Sequence, residues 1–493
     1  MSTNKRQGTT SPPASTASPA GTGPSMDEAL AELWGVLDTG SLLDAEVQVS
    51  GLLALPALNG GTRADAQEFV AALIGAAARR PPLSSAAAFY RLLMAFGSPS
   101  VKKMASGALR EITAGGVYPP SWVTEIGKPV PGQAWHRYNV FGDEEAVVIT
   151  FAYGDKRHGL LVRIDRTVLP TATVIGISPE SEQLVAAING EGSPLERTDQ
   201  VSLAVARILV EEPLARAAQT GGRGLTPSSL TFLPLARAHV KRLPVPEDSP
   251  GDGIKSYSAD DRVAAVEAFL ASPQAEEAGD AGSARFWAQA LTGYSGRIAS
   301  EAPAQVGPRK LAAMLGHVAS SFELTDAQRA GMEPAVTAWI TWAAGNQGLD
   351  ERATEQLLAA VPKALEEFPA AYDDPRTVLA RAYVSDLATS EANVTELSAA
   401  VTRRTVAVPL PEISDEGIPA MDVTSPAARA EMAAQEFAQC SLDSGQTRED
   451  LTDGASRVIE ELWSGQPAAT WESMRKLLTE GRSRHDAIHA LIK

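Results

Sequence analysis

The sequence predicts a mainly α-helical, multidomain protein with one small antiparallel sheet, in which the N-terminal half is α+β and the C-terminal half is all-α. The chain has 493 residues, more than one ordinary hydrophobic core can organise. It is 44% hydrophobic but only 5% aromatic, so alanine and aliphatic side chains should fill the cores. A single dense run of Val, Ile and Leu, at 142–178, interrupts an otherwise helical apolar spacing.

The chain begins with a segment, 1–25, of Ser, Thr, Pro and Gly that contains almost no large apolar side chain. Such a segment cannot offset its ordering entropy by burial, so we expect a disordered tail. It also lacks the apolar run of a secretory signal. Residues 26–117 then predict a helical bundle, because Leu30, Leu33 and Leu37 recur at helical spacing after the candidate N-cap Ser25.

Residues 118–243 predict an α+β unit built on an antiparallel meander of three or four strands. Strands are expected at 146–153 and 159–165, on either side of a turn at Gly154 and Asp155, and at 173–177, with 135–141 as a candidate first strand. These connections are too short for parallel crossovers. The Pro-rich stretch 127–132 should lead into the sheet rather than belong to it. Helical patterns at 182–188 and 201–209 should cover one face.

The C-terminal half predicts helices only. A linker rich in Pro, Gly and Asp at 244–258 precedes an all-α domain at 259–403, and a second linker at 404–424 precedes a C-terminal helical domain at 425–493. Two helix starts are marked by capping boxes, one formed by Ser258 with Asp261 and the other by Thr325 with Gln328.

The net charge of −17 is unevenly distributed along the chain. Residues 1–250 carry 22 Lys+Arg against 24 Asp+Glu, whereas residues 251–493 carry 21 against 36. The acidic C-terminal half would repel a phosphate backbone, and no basic stripe is interleaved with aromatic residues, so nucleic-acid binding is disfavoured. No apolar run approaches the about 18 residues that would predict a membrane span. The single cysteine, Cys440, excludes an intrachain disulfide, and these features together favour a cytoplasmic protein.

Two histidines near the C-terminus, His485 and His489, are candidate metal ligands. Residues four apart lie on one helix face, so both imidazoles could bind one divalent metal ion. Zinc requires at least a third protein ligand, and the Glu of the H-E-x-x-H pattern is replaced here by Asp486. The alternative interpretation is a helix start capped by Ser483, with two ordinary histidines and no cofactor.

A second set of candidates lies on the predicted sheet and comprises His136, His158, Arg163 and Asp165. Together with Asp155 they could form a polar cluster on the open face of the sheet. Strand alternation places Arg163 and Asp165 on the same face. The alternative interpretation is an ordinary solvated sheet face.

Two further residues are interpreted as structural. His239, close to Lys241 and Arg242, predicts a cationic cluster that complements the dipole at a helix C-terminus. Cys440 follows a helical apolar pattern and predicts a core residue. The sequence contains neither a phosphate-binding G-x-x-x-x-G-K-[ST] motif nor a G-x-S-x-G nucleophile elbow.

The block 119–166 combines Trp and Gly-Pro positions with a Tyr-Gly…His strand pair, and its characteristic residues are Trp122, Trp135, Gly142, Asp143, Tyr153, Gly154, His158 and Asp165. In these residues it resembles an uncharacterised actinobacterial protein family. In that family a helical leader precedes the Trp and Gly-Pro connector and the strand pair. The turn from Asp165 to Pro170 departs from the family's Asp-His-Asn-Leu-Gly-Gly-like turn, so this chain should lack any function carried there. The segments 324–349 and 480–491 (EGRSRHDAIHAL) are similar to other parts of the same group, and the resemblance implies a layout rather than an activity.

These observations favour an interaction or scaffold protein that acts through helical surfaces and binds a protein partner. A metal-dependent hydrolase or metal-binding protein that uses His485 and His489 is the first alternative. A regulatory component of a mobile-element or defence system is the second, and it depends on the resemblance alone. The sequence does not predict the oligomeric state.

Overall fold

The computed structural model describes residues 26–39, 41–60, 63–190, 192–245, 257–298, 301–388, 394–409, 423–440, 447–480 and 482–492. The predicted fold class is confirmed: helices dominate, and one five-stranded antiparallel sheet lies in the N-terminal half. The predicted tail and most of both predicted linkers lie outside the described residues. Each helix in the described ranges is too short or too polar to cross a membrane.

Within the described part of the N-terminal region, five helices form a bundle, because each one presents apolar side chains to a shared core. They are α1 (Met26–Thr39), α2 (Leu42–Leu58), α3 (Arg63–Ala77), α4 (Leu83–Phe96) and α5 (Pro99–Ala114). The central helix is α4, where residues 85–90 are all buried. Ser98 begins α5 by accepting a hydrogen bond from the Val101 N–H, as expected of an N-cap. A 3₁₀ turn, Ser121–Glu125, then leads to the sheet.

The first four strands form the predicted meander, and a fifth strand was not predicted. The strands are β1 (Val130–Asn139), β2 (Glu144–Tyr153), β3 (Lys156–Asp165), β4 (Thr171–Ser178) and β5 (Glu196–Val201), in the spatial order β4-β3-β2-β1-β5. Gly154 has a φ of 60° in the tight β2–β3 turn, a conformation that favours glycine. The short helix α6 (Ser181–Asn189) connects β4 towards β5.

Strand β1 begins earlier than predicted and includes Pro131. Proline is tolerated because β5 pairs only with the part of β1 from Ala134 onwards, so Pro131 has β2 as its one strand neighbour. The register with β2 shifts between Pro131 and Ala134, as at a β-bulge.

One face of the sheet is covered by α7 (Leu203–Gln219) and α8 (Pro227–Val240). The apolar residues on this face alternate along the strands, as the period of two requires, and they include Val147, Ile149, Leu160, Val162 and Ile164. Helix α8 also packs along α2, which joins the bundle to the α+β unit. The opposite face carries α6 over part of its area.

Beyond α8 the described elements are helices, and they pack around two hydrophobic clusters. The helices are α9 (Ala259–Leu270), α10 (Ala281–Gly293), α11 (Pro308–Ser321), α12 (Asp326–Ala330), α13 (Met332–Gln347), α14 (Glu351–Asp373), α15 (Pro375–Ala388), α16 (Val394–Ala407), α17 (Pro426–Phe437), α18 (Arg448–Ser464), α19 (Ala468–Thr479) and α20 (Arg484–Ile492). Both predicted capping boxes are present. The first cluster contains Trp287 and Trp339, and the second joins α15 to the C-terminal helices around Tyr383 and Phe437.

Candidate functional site

A cleft of about 310 Å³ lies between α6 and the sheet face that α7 and α8 leave uncovered. Its floor is apolar, since Val148 and Leu161 project from the strands and Leu184 and Ile188 from α6. The cleft exists because α6 is short and crosses only part of this face. An apolar floor with a few polar groups around it is the usual composition of a ligand-binding cleft.

The rim of this cleft is ionic. Arg137 donates from Nε to Glu196 Oε2 at 3.2 Å and from Nη1 to the Ile188 carbonyl oxygen at 3.4 Å. Across the cleft, the Arg163 guanidinium lies 3.7 Å from Glu144 Oε1. Each arginine therefore has a carboxylate beside it, and the rim offers both signs of charge. Of the predicted candidates, only Arg163 lines the cleft.

His158 lies on the other face, inside a buried polar cluster formed with Glu46, Tyr153 and His239. Its Nε2 lies 3.0 Å from His239 Nε2. Glu46 Oε1 accepts hydrogen bonds from the Tyr153 hydroxyl at 2.6 Å and from the Gly127 N–H at 2.7 Å. The side chains of Glu46, His158 and His239 are at most 1% exposed. The cluster thus joins α2, the segment between the 3₁₀ turn and β1, the β2–β3 hairpin and α8.

The hydrogen bonds determine the tautomer of each ring in this pair. His239 Nδ1 lies 3.1 Å from the Leu235 carbonyl oxygen, which can only accept, so His239 carries its proton on Nδ1. Its Nε2 must then accept from the Nε2–H of His158. Burial lowers the pKa of His158 to about 4 and the pKa of His239 to about 3, so both rings are neutral at pH 7. The interpretation of His239 as part of a cationic cluster is therefore wrong.

Glu46 has the opposite response to burial. Desolvation raises its pKa from 4.5 to about 7, although the hydrogen bonds from Tyr153 and Gly127 favour the ionised form. Its second oxygen, Oε2, has no hydrogen-bond partner among the described residues and lies 3.9 Å from His239 Nε2. The cluster therefore contains a carboxyl group close to its midpoint of ionisation at neutral pH.

Asp165 belongs to a joint between the sheet and the C-terminal helices. Its Oδ2 accepts from the Arg309 guanidinium at 2.7 Å, and Glu144 Oε2 accepts from the same group at 3.0 Å. Beside them, buried Asp143 accepts from the Arg309 backbone N–H at 3.0 Å, at the N-terminus of α11, where a carboxylate is favoured. Burial raises the Asp143 pKa despite the opposing charge of Lys310. This ionic contact fixes the helical region against the end of the hairpin.

His136 belongs neither to the buried cluster of His158 nor to the joint that contains Asp165. Its Nε2 lies 3.3 Å from Glu145 Oε2, and its ring stacks on Tyr138 with centroids 4.9 Å apart. The structure therefore does not bring together His136, His158 and Asp165: each has its own partners. The alternation that puts Arg163 and Asp165 on one face puts His158 on the other.

At the C-terminus, His485 lies between a thiol and a carboxylate. Its Nε2 is 3.2 Å from Cys440 Sγ, and its Nδ1 is 3.3 Å from Glu436 Oε1. The ring stacks on Phe437 at 4.5 Å, whereas the His489 ring centroid is 6.2 Å from that of His485. A thiol, an imidazole and a carboxylate therefore lie next to one another in space, in the order found in sites where a base activates a thiol nucleophile. Cys440 is half-buried rather than a core residue.

Within the described ranges, no group of three or more His, Cys, Asp or Glu side chains is arranged to hold a metal ion. The two ring nitrogens of His485 face different groups, Cys440 Sγ on one side and Glu436 Oε1 on the other. The Cys440–His485 contact was missed because its residues are 45 positions apart. A separation of four residues, by contrast, is visible as a helical face in the sequence.

Comparisons with protein-family models, with curated proteins and with solved structures found no match to the chain.

Proposed function

We propose that the protein is a cytoplasmic interaction or scaffold protein and that it binds an extended segment of a protein partner in the cleft between α6 and the sheet. The observation that carries this proposal is the cleft's apolar floor beneath a rim of both charges. Apolar side chains of a partner would gain affinity by leaving water. The rim would select a segment that presents a carboxylate near Arg163 or Arg137 and a cation near Glu144 or Glu196.

The acidity of residues 251–493 supports a partner with a basic surface next to the bound segment. That half carries 21 Lys+Arg against 36 Asp+Glu. A field of one sign speeds encounter with an oppositely charged protein, and the effect declines as salt is added. Helical surfaces would then contribute to partner encounter, and the cleft would provide specificity.

A matched pair of variants on α6 tests the proposal. Ala187 is exposed and lines the cleft, whereas neighbouring Ala186 is exposed and does not line it. Ala187→Trp should fill the cleft without disturbing the core, and Ala186→Trp should leave it open. We expect a partner recovered by affinity purification from the native lysate with the wild type and Ala186→Trp to be lost with Ala187→Trp. Recovery of no partner, or equal recovery by both variants, would count against the proposal.

A second candidate function is nucleophilic chemistry at Cys440, favoured by the Cys440–His485–Glu436 arrangement. The Glu436 carboxylate would hold the His485 proton on Nδ1 and leave Nε2 to accept the thiol proton. The rate at which the thiol is alkylated with and without the His485 ring tests this candidate.

Two alternatives inferred from the sequence remain proposals with direct tests. Metal binding by His485 and His489 predicts stoichiometric zinc, iron or manganese in protein purified without a His-tag, and a content far below one metal per chain would contradict it. A regulatory role in a mobile-element or defence system predicts such genes beside this one in the genome.

A further inference from the structure

Among the described residues, one edge of the sheet is covered and the other is open. At the β4 edge, the Ile175 N–H donates to Ser229 Oγ of α8 at 3.0 Å, which occupies a backbone group that would otherwise be free. At the opposite edge, β5 pairs with β1 and has no other extensive neighbour among the described elements. Glu196, Arg197, Asp199 and Gln200 are exposed on this strand. An open edge presents unpaired backbone N–H and C=O groups and can accept another strand.

The sequence of β5 is self-complementary in one antiparallel register. If two copies meet with a two-fold axis at Thr198, Arg197 of one copy lies opposite Asp199 of the other, and the symmetry repeats this pair. Glu196 then lies opposite Gln200, and Thr198 lies opposite Thr198. Opposite charges and facing threonines are favourable cross-strand pairs. From this complementarity we propose that a second copy of the chain pairs along β5, forming a continuous ten-stranded sheet across the dimer.

Neighbouring registers lack this complementarity. An axis at Asp199 or at Arg197 would bring like charges directly opposite each other, which is destabilising. An axis between Thr198 and Asp199 would place Arg197 opposite Gln200 and remove both ion pairs. Charges on an edge strand ordinarily prevent pairing. In β5 they oppose other registers and favour one, as a specific symmetric interface requires.

The geometry within one chain is compatible with this pairing. Arg197 and Asp199 project to the same face, since they alternate with Thr198. The Tyr138 hydroxyl donates to Asp199 Oδ2 at 3.1 Å, which holds this carboxylate on that face. Six residues from each copy form a small interface, so we expect a weak dimer with a dissociation constant on the order of micromolar.

Charge reversal gives a test that separates pairing from misfolding. Arg197→Asp places Asp opposite Asp199, and Asp199→Arg places Arg opposite Arg197, so each variant alone should dimerise about tenfold or more weakly. Mixed together, the two variants restore opposite charges at both pairs and should form a heterodimer. Sedimentation velocity of the full chain over about 1–200 µM measures association of the wild type, of each variant alone and of the mixture. Arg157→Asp, an exposed change on β3, should behave as the wild type.

Three results would overturn the proposal. The first is a wild-type chain that stays monomeric up to the highest concentration. The second is association that both single variants retain, because another surface would then be responsible. The third is failure of the mixture to associate although both variants are folded by circular dichroism, which would reject this register. The cleft variant Ala187→Trp should dimerise normally, so the outcome is independent of the proposed function.

Discussion

Replacing Glu46 with glutamine should change how stability depends on pH. The variant keeps an oxygen that can accept from Tyr153 and Gly127, but it cannot ionise. In the wild type, burial raises the Glu46 pKa from 4.5 to about 7. A raised carboxyl pKa contributes stability that is fully present below pH 4.5 and is lost as the pH rises through 7. This difference in pKa corresponds to about 3 kcal/mol.

The expected result is a difference between Glu46→Gln and the wild type that grows with pH. The free energy of unfolding of the variant minus that of the wild type should increase by about 3 kcal/mol between pH 4.5 and pH 8. The reason is that only the wild type ionises a carboxyl group at position 46. Any constant cost of exchanging an oxygen for an amide cancels in this comparison. The buried histidines do not enter the difference, since both proteins contain them.

Hydrogen–deuterium exchange of peptides from α2 and α8, corrected for intrinsic exchange, measures the local free energy of opening where the cluster lies. Glu32→Gln, an exposed change on α1, is the matched control and should show no such trend. A flat difference from pH 4.5 to 8 would refute the reasoning, because Glu46 would then ionise in the folded protein as it does in the unfolded chain. The wild-type histidines act with the opposite sign: their lowered pKa values cost stability as the pH falls below 6.5.

Two further changes test the joint and the thiol. Asp143→Ala removes the acceptor of the Arg309 backbone N–H, so α11 should be destabilised by about 2–4 kcal/mol; an unchanged exchange rate of α11 peptides would contradict this role. His485→Gln should slow alkylation of Cys440 by iodoacetamide at pH 7 about tenfold, since it removes the imidazole whose Nε2 lies 3.2 Å from Cys440 Sγ, within reach of the thiol proton. His489→Gln serves as control, and equal rates in all three proteins would exclude His485 as the base.

The sequence predicted the meander because its strands have dense β-branched content and a turn that favours glycine. It did not predict β5, since Glu196–Val201 is polar and offers no apolar alternation. The strand forms because β1 supplies a ladder along its free side, which is a tertiary effect on a segment of weak propensity.

The polar groups with unusual environments were harder to predict than the strands. His158 was a candidate, but His239, which it contacts, and Glu46, which lies near His239, come from helices far away in the chain. Helical periodicity identifies which residues share a face, whereas it does not identify the face that another helix will cover. Glu46 is also a charged residue at a buried position, which a pattern of apolar residues does not reveal.

The contacts of the β2–β3 hairpin explain why the α6 cleft and the β5 edge are the surfaces of the sheet that the described elements leave uncovered. Its turn end holds the bundle through Tyr153 and Glu46, and its open end holds α11 through Asp165 and Arg309. One sheet face is covered by α7 and α8, which leaves the α6 cleft and the β5 edge. These two surfaces share Glu196, which lines the cleft and lies on the edge strand. Dimerisation would therefore place the two clefts side by side. If partner binding strengthens dimerisation by some factor, thermodynamic linkage requires that the dimer bind the partner more tightly than the monomer by the same factor.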